Sequence, residues 1–185
     1  MAGINRALHE HRDIAKFNAS VDRPCIFLSH ISVDKPAVKA IGEYITRRGD
    51  IDIYLDDKDL ELQQAAAAGN AVGVTEFIER GLSNSTHVMC LVSASTVKSW
   101  WVPYELGFGK RSGKPLATLK LIDVKDLPAY LEISEIIKGV DSLNRYLTSV
   151  KRGLKKTMTA GALTESLLPG YTIDHPLESY VHWNA

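Results

Sequence analysis

The chain has 185 residues and a mass of 20.4 kDa, with 45% hydrophobic and 24% charged residues. This length suits one domain, whose core needs neither disulfides nor a structural metal ion. Lysine plus arginine and aspartate plus glutamate are equal at 22 each, so the net charge is zero. The excess positive charge that is typical of nucleic-acid-binding proteins is missing, and we expect no nucleic-acid partner.

The apolar segments of the chain are short. The run from Cys25 to Leu28 is far below the roughly 20 residues that a membrane-spanning helix needs. The N-terminal sequence MAGINRALHEHRDIAK lacks the apolar segment of a signal peptide. Cys25 and Cys90 each lie in an apolar run, which is typical of buried thiols in a reducing compartment. We therefore expect a cytoplasmic protein with no membrane partner.

The first predicted element is an amphipathic helix over residues 3–18, where apolar residues recur at roughly helical spacing. The sequence Ser-Val-Asp-Arg-Pro over 20–24 ends this helix. We accordingly divide the chain into an N-terminal helical extension over 1–23, a main domain over 24–156 and a C-terminal tail over 157–185.

From residue 25 onward, strand and helix patterns alternate with short turns between them. The predicted strands are 25–29, 51–55, 87–92 and 116–122, and the predicted helices between them are 33–48, 70–82 and 95–111. A weaker fifth strand over 130–133 precedes a helix over 136–156, and the sequence from residue 168 is irregular. Such alternation predicts an α/β fold of flavodoxin type, a doubly wound parallel sheet of about five strands in the order 2-1-3-4-5.

In such a fold, ligands bind at the carboxyl ends of the strands, where the strand order reverses. Here that point lies between the first and third strands. Trp101 and Glu105, four residues apart on the third helix, share the face that begins at this edge. An aromatic side chain beside a carboxylate suits a flat, charged ligand. The polar or loop residues predicted at the same edge are Ser29, His30, Ile31, Ser32, Asp57 and Ser93.

Several short motifs, in this order, resemble the successive boxes of a Toll/interleukin-1 receptor (TIR) domain. They are Phe27-Leu28-Ser29-His30 with Ser32 and Asp34-Lys35, then Tyr54-Leu55-Asp56-Asp57, then Ser99-Trp100-Trp101-Val102-Pro103-Tyr104-Glu105-Leu106, and finally Gly113-Lys114-Pro115-Leu116. The resemblance covers about residues 24–150. A compact TIR chain of this kind is similar to the bacterial anti-phage TIR proteins, such as the signal-producing subunit of Thoeris systems. The segment after the second strand lacks the proline of the Toll-receptor signalling loop, which argues against a receptor-type adaptor.

The resemblance implies an enzyme that cleaves NAD at the nicotinamide–ribose bond, with Glu105 as the catalytic carboxylate. NAD is then the substrate, with no metal and no other cofactor. Trp101 would line the nicotinamide side or stack on a base, and Ser29, His30, Ile31, Ser32, Asp57 and Ser93 would lie around the ribose and phosphates. The product would be ADP-ribose, a cyclic isomer or a conjugate that signals to a downstream effector. Self-association through TIR–TIR contacts is a further expectation from the family.

Other interpretations of the same residues stay open at this stage. Glu105 on its own reads as an ordinary surface glutamate, and Ser29, His30 and Ser32 are equally suited to capping the first helix. The fold also serves as a non-enzymatic interaction module, or as a nucleoside deoxyribosyl transferase that uses one carboxylate at a glycosidic carbon. The pair His9 and His11 lacks further metal ligands at suitable spacing, so we expect no metal site.

Overall fold

The computed structural model describes residues 2–8, 23–55, 67–158 and 175–183. Its centre is a five-stranded, fully parallel sheet in the order β2-β1-β3-β4-β5, which confirms the predicted architecture and strand order. The strands are β1 (Cys25–Ser29), β2 (Asp52–Tyr54), β3 (His87–Val92), β4 (Leu116–Lys120) and β5 (Glu135–Ile137). The helices are α1 (Lys35–Tyr44), α2 (Ala71–Ser83), α3 (Trp101–Arg111) and α4 (Val140–Met158).

Strand β1 is buried along its whole length, because helices cover both faces of the sheet. Side chains alternate between the faces of a strand, and Ile26 and Leu28 pack in the core that α1 and α4 cover. Cys25 and Phe27 point the other way, into the core beneath α2 and α3. Ser29, at the next odd position, therefore faces the side of the sheet that carries α3.

The helices begin and end where local sequence signals place them. Asn70 caps α2, since its side-chain oxygen accepts a hydrogen bond from the Gly73 backbone N–H at 3.0 Å. In the same helix, a Cβ at Gly81 would lie 2.4 Å from the Tyr54 ring, so only glycine allows this helix to pack so closely on β2. A short 3-10 turn, Thr96–Lys98, precedes α3, so the helix begins six residues later than the predicted 95–111.

The predicted N-terminal helix over 3–18 is wrong in its first residues. Asn5 pairs with Ile53 as a parallel bridge on the outer edge of β2, and Arg6–Leu8 forms one 3-10 turn. The Ile4 backbone N–H donates to the Asp52 carboxylate at 3.0 Å, which holds this segment extended. The apolar spacing of residues 4–8 therefore reflects packing on a sheet edge and not an amphipathic helix. The remainder of that prediction, over 9–18, lies outside the described residues.

The predicted position of the fifth strand is also wrong. The predicted segment 130–133 belongs instead to the 3-10 turn Ala129–Leu131 and the residues after it, and the strand is Glu135–Ile137. Leu131 is fully buried beneath α3, which explains why this segment carries a strand-like apolar pattern. Helix α4 begins at Val140, four residues later than predicted, because 135–137 pairs with β4.

The C-terminal residues 175–183 pack onto the main domain as a series of turns, which agrees with the irregular structure predicted there. Leu177 and Val181 are buried in the core beside α1 and α4. The backbone N–H groups of Ile122 and Val140 donate to the carbonyls of Tyr180 and His182, both at 2.9 Å. No helix in the described ranges has the length and apolar character required to cross a bilayer.

Candidate functional site

The candidate site lies at the carboxyl ends of β1 and β3, where the strand order reverses. Ser29 is the last residue of β1 and pairs in register with Cys90 of β3. Helix α3 starts at the same edge of the sheet and passes over the odd-numbered face of β1. Its second turn carries Glu105. Strand pleat and helix position together direct the side chains of Ser29 and Glu105 toward each other, as the topology predicts.

The Ser29 hydroxyl donates a hydrogen bond of 2.5 Å to Oε2 of Glu105. Both residues are buried: Ser29 is 1% exposed and Glu105 is 5% exposed. A hydrogen bond to a buried carboxylate is stronger than one between neutral groups, so Ser29 fixes the orientation of Glu105. The interpretation of Glu105 as an ordinary surface glutamate is therefore wrong.

The electrostatic environment beneath this pair is negative. Burial raises the pKa of the Cys90 thiol, and the charges of Glu105 and Asp34 raise it further. Cys90 is consequently an inert, neutral thiol and not a nucleophile.

Trp101 stands one helical turn before Glu105, at the first residue of α3, and is 41% exposed. Its ring meets the Tyr104 ring edge to face, with the centroids 6.1 Å apart. The Tyr104 hydroxyl in turn donates a hydrogen bond to the Glu79 carboxylate of α2. Trp101 therefore lies on the side of α3 that faces α2. The neighbouring Trp100 is 91% exposed, so neither tryptophan belongs to the core.

The residues after β1 differ in their contacts. The Nδ1 atom of His30 lies 2.9 Å from the Leu28 carbonyl oxygen, which fixes the orientation of the imidazole ring. Ile31 packs its side chain against the core beneath α3, and Ser32 is exposed at the start of a 3-10 turn. The residues at the N-cap positions of this turn and of α1 are Ile31 and Asp34, and neither side chain makes a capping hydrogen bond.

Ser93 follows β3 and is 6% exposed. Its backbone N–H donates to the Thr96 hydroxyl at 2.9 Å, and its own hydroxyl accepts from the Ser95 N–H at 3.2 Å. The Ser93 hydroxyl also lowers the pKa of the Asp34 carboxyl group, so the loops after β1 and β3 approach each other here. Ser93 is thus a structural part of the edge as well as a predicted ligand contact.

Two acidic residues at this edge are absent from the predicted site. Asp34 is 9% exposed, and its Oδ2 atom has no hydrogen-bond partner within residues 2–8, 23–55, 67–158 and 175–183. Asp123, in the loop after β4, accepts a hydrogen bond from the Ala94 N–H at 3.2 Å. The strand-end rule that located Ser29 and Ser93 would also have found Asp123, the first acidic residue after β4. Asp34 sits just before α1, where its residue type predicts only a helix cap.

Asp57, the remaining predicted site residue, lies outside the described residues. Within the described ranges, His, Cys, Asp and Glu side chains form no group of three that could hold a metal ion. The chemistry available at the site is therefore that of an oriented, largely desolvated carboxylate with further acidic and hydroxyl groups nearby. Such a group stabilises positive charge that develops at a substrate atom, since the low local dielectric strengthens the attraction.

Comparison with known proteins identifies the family of this arrangement. A sequence model of the TIR domain matches residues 26–145, a span that contains Ser29, Ser93 and Glu105. Comparison with curated protein sequences finds no significant match. Among solved structures, the TIR domain of the Toll-related receptor TRR-2 from Hydra magnipapillata is similar over 71% of this chain and 95% of its own. The sequence identity over that alignment is 16% and the TM-score is 0.47.

Proposed function

The chain belongs to the TIR domain family, and from this premise we propose that it is an enzyme that cleaves NAD at the nicotinamide–ribose bond. The observation that carries the proposal is the buried Glu105 carboxylate, oriented by the Ser29 hydroxyl at the strand-order reversal. This is the position where α/β sheets bind nucleotides.

The proposed chemistry needs only one carboxylate. Cleavage of the bond between nicotinamide and ribose develops positive charge at the anomeric carbon, as in glycosidases. Glu105 stabilises that charge, and nicotinamide leaves as a neutral molecule without a proton from the protein. A single electrostatic contact of this kind contributes about 3–4 kcal/mol to the transition state. Trp101, His30 and Ile31 then border the bound nucleotide, and Ser93 and Ser32 lie near its hydroxyl and phosphate groups.

We further propose that the product serves as a signal. Attack on the anomeric carbon by water gives ADP-ribose, whereas attack by a group of the substrate itself gives a cyclic isomer. The similarity of the motifs to bacterial anti-phage TIR proteins favours a role in Thoeris-type defence, with a downstream effector that detects the product. Self-association through TIR–TIR contacts would then regulate the activity, as the family implies.

The decisive experiment is incubation of concentrated purified protein with NAD, followed by chromatography and mass spectrometry. We expect nicotinamide release by the wild type and a loss of a hundredfold or more in Glu105→Gln, which keeps the shape of the side chain and removes its charge. Glu132→Gln, a change of the same type at an exposed position in the β4–β5 connection, is the matched control and should keep full activity. The mass of the second product distinguishes hydrolysis from cyclisation.

Two outcomes would contradict the proposal. One is equal nicotinamide release by the wild type and Glu105→Gln. The other is no release by the wild type even when the protein is forced to cluster, for example by fusion to a multivalent scaffold. Turnover of free nucleosides by the wild type would favour a deoxyribosyl transferase instead.

A second candidate function is a non-enzymatic interaction module. It is favoured by the exposed aromatic surface at the start of α3, where Trp100 is 91% and Trp101 is 41% exposed. Exposed tryptophans of this kind are typical of protein–protein contacts. Under this alternative, Glu105→Gln keeps all biological activity, whereas Trp100→Ala abolishes it. Under the enzymatic proposal, Glu105→Gln abolishes the biological activity.

A further inference from the structure

Asp34 combines two properties that a stable fold normally avoids. The residue is 9% exposed, and its Oδ2 atom is shielded from solvent with no hydrogen-bond partner in the part of the chain that the structure describes. Buried carboxyl oxygens in folded proteins are almost always paired, because an unpaired one loses its hydration without compensation. Asp34 is also at the N-cap position of α1, yet its side chain does not cap the helix. Among the described residues, neither helix capping nor an ion pair therefore explains a carboxylate at this position.

The location of Asp34 connects it to the candidate site. It follows Ser29 by five residues at the carboxyl end of β1, and its backbone N–H is fixed by the Ile31 carbonyl at 2.9 Å. The Ser93 hydroxyl, at the end of β3, lowers the pKa of the same carboxyl group. Glu105 contacts Ser29, the last residue of β1, so the two carboxyl groups lie at the same edge of the sheet. The Oδ2 atom of Asp34, a hydrogen-bond acceptor with no partner among the described residues, thus lies at the same edge as the oriented Glu105 carboxylate.

We propose that Asp34 is a second ligand-binding carboxylate of this site, whose Oδ2 atom accepts a hydrogen bond from a ribose hydroxyl of the nucleotide. The inference rests on the proposed function and extends it to substrate recognition. Oδ2 is closed to solvent, so the contact forms when the nucleotide separates the loops after β1 and β3. A ribose hydroxyl is the suitable partner, because it donates a hydrogen bond without bringing another negative charge to an acidic region. A phosphate group, which only accepts, is excluded as the partner of Oδ2.

The test is binding of ADP-ribose, measured by isothermal titration calorimetry on the wild type, Asp34→Asn and Asp34→Ala. Loss of a hydrogen bond to a charged acceptor weakens binding by about tenfold to a hundredfold. We expect this loss in both Asp34 variants. Asp126→Asn, which removes an exposed carboxylate from the β4–β5 connection, is the matched control and should bind as the wild type does. Circular dichroism of each variant establishes that the fold is intact, and Asp34→Asn keeps the size of the side chain if Asp34→Ala does not fold.

Deoxy analogues of ADP-ribose, each lacking one ribose hydroxyl, identify the contact itself. One analogue should bind the wild type more weakly than ADP-ribose does, by the same factor that the Asp34 substitution causes. Asp34→Asn should no longer discriminate between that analogue and ADP-ribose. A purely structural role of Asp34 would weaken all of these ligands equally and leave the discrimination unchanged, which would overturn the inference.

The outcomes separate this inference from the function on which it rests. If the wild type binds ADP-ribose and releases nicotinamide but Asp34→Asn binds equally well, the inference is overturned and the proposed enzyme stands. If the wild type neither binds ADP-ribose nor releases nicotinamide, the proposed function fails and the inference fails with it.

Discussion

The buried ion pair between Arg6 and Asp52 gives a quantitative prediction about the N-terminal segment. The Arg6 Nε atom lies 3.1 Å from Oδ2 of Asp52, and these side chains are 3% and 0% exposed. The remaining guanidinium nitrogens donate to the carbonyls of Asn84 and Arg23 at 2.9 and 2.8 Å. Arg6 therefore joins Asp52 of β2 to Arg23, which precedes β1, and to Asn84 at the end of α2. Arg6→Met keeps the length of the side chain and removes every one of these donors.

We expect Arg6→Met to lower the free energy of unfolding by about 3–5 kcal/mol, because it removes the donors to two carbonyls and leaves the buried Asp52 carboxylate with only the more distant Arg23 guanidinium, 3.9 Å away. For a domain of this size, each kcal/mol corresponds to about 2–4 °C, so the melting temperature should fall by roughly 6–20 °C. Urea denaturation followed by circular dichroism measures the change. Arg111→Met, at an exposed position on the last turn of α3, should change stability by less than about 0.5 kcal/mol.

A second substitution tests the cause of the loss. Asp52→Asn removes the buried charge but keeps an oxygen that accepts from the Ile4 N–H. Arg6→Met combined with Asp52→Asn should therefore be more stable than Arg6→Met alone. A loss of less than about 1 kcal/mol in Arg6→Met would refute the reasoning, since a buried carboxylate that loses the nearer of its two cationic partners must cost more than that. A double variant no more stable than Arg6→Met would refute the role assigned to the charge.

Two further predictions concern the candidate site. Burial, and then the charge of Asp123, raise the pKa of Asp34 above its usual range, against the opposing effects of the Ser93 hydroxyl and His30. Because the folded state holds this proton more tightly than the unfolded state, the stabilisation from Asp34 is complete at low pH and is lost as pH rises through the raised pKa. Asp34→Asn should therefore be more stable than the wild type at pH 7, by a margin that shrinks on acidification; a margin independent of pH in urea titrations would contradict this. Ser29→Ala, which removes a donor from the buried Glu105 carboxylate, should lower stability by about 1.5–3 kcal/mol and slow nicotinamide release about tenfold or more. Ser83→Ala, at an exposed position on the last turn of α2, is its control, and equal rates for Ser29→Ala and the wild type would exclude an orienting role for Ser29.

The strands at the centre of the sheet could be predicted to the residue, as β1 and β3 demonstrate. Both faces of a central parallel strand are buried, so such strands appear in the sequence as short, continuous apolar runs. The strands at the two edges of the sheet are harder to predict from the sequence. The three residues of β5 include the exposed Glu135, and the apolar pattern nearby belongs to Leu131, which is buried from a turn. At the other edge, Asn5 completes a bridge whose partner lies 48 residues away, so no local pattern reveals it.

The candidate site, too, can be predicted from the sequence only in part. Topology alone predicts that Ser29 and Glu105 lie at the same edge of the sheet, because strand order and helix direction determine which residues reach the carboxyl edge. Their burial and their hydrogen bond depend on the packing of α3 against β1, which the sequence pattern does not express. Asp34 has a residue type that suits a helix cap, and only the three-dimensional contacts show that it caps nothing.

The position of residues 175–183 has a consequence for the way the chain folds during synthesis. Leu177 and Val181 fill the core next to α1 and α4, although α1 leaves the ribosome more than a hundred residues earlier. Until residue 181 has emerged, the part of this core that Leu177 and Val181 fill stays open, even after α4 has been made. A nascent chain of this protein therefore exposes apolar surface until residues 175–183 are synthesised, and those residues, or a chaperone in the interval, must cover it.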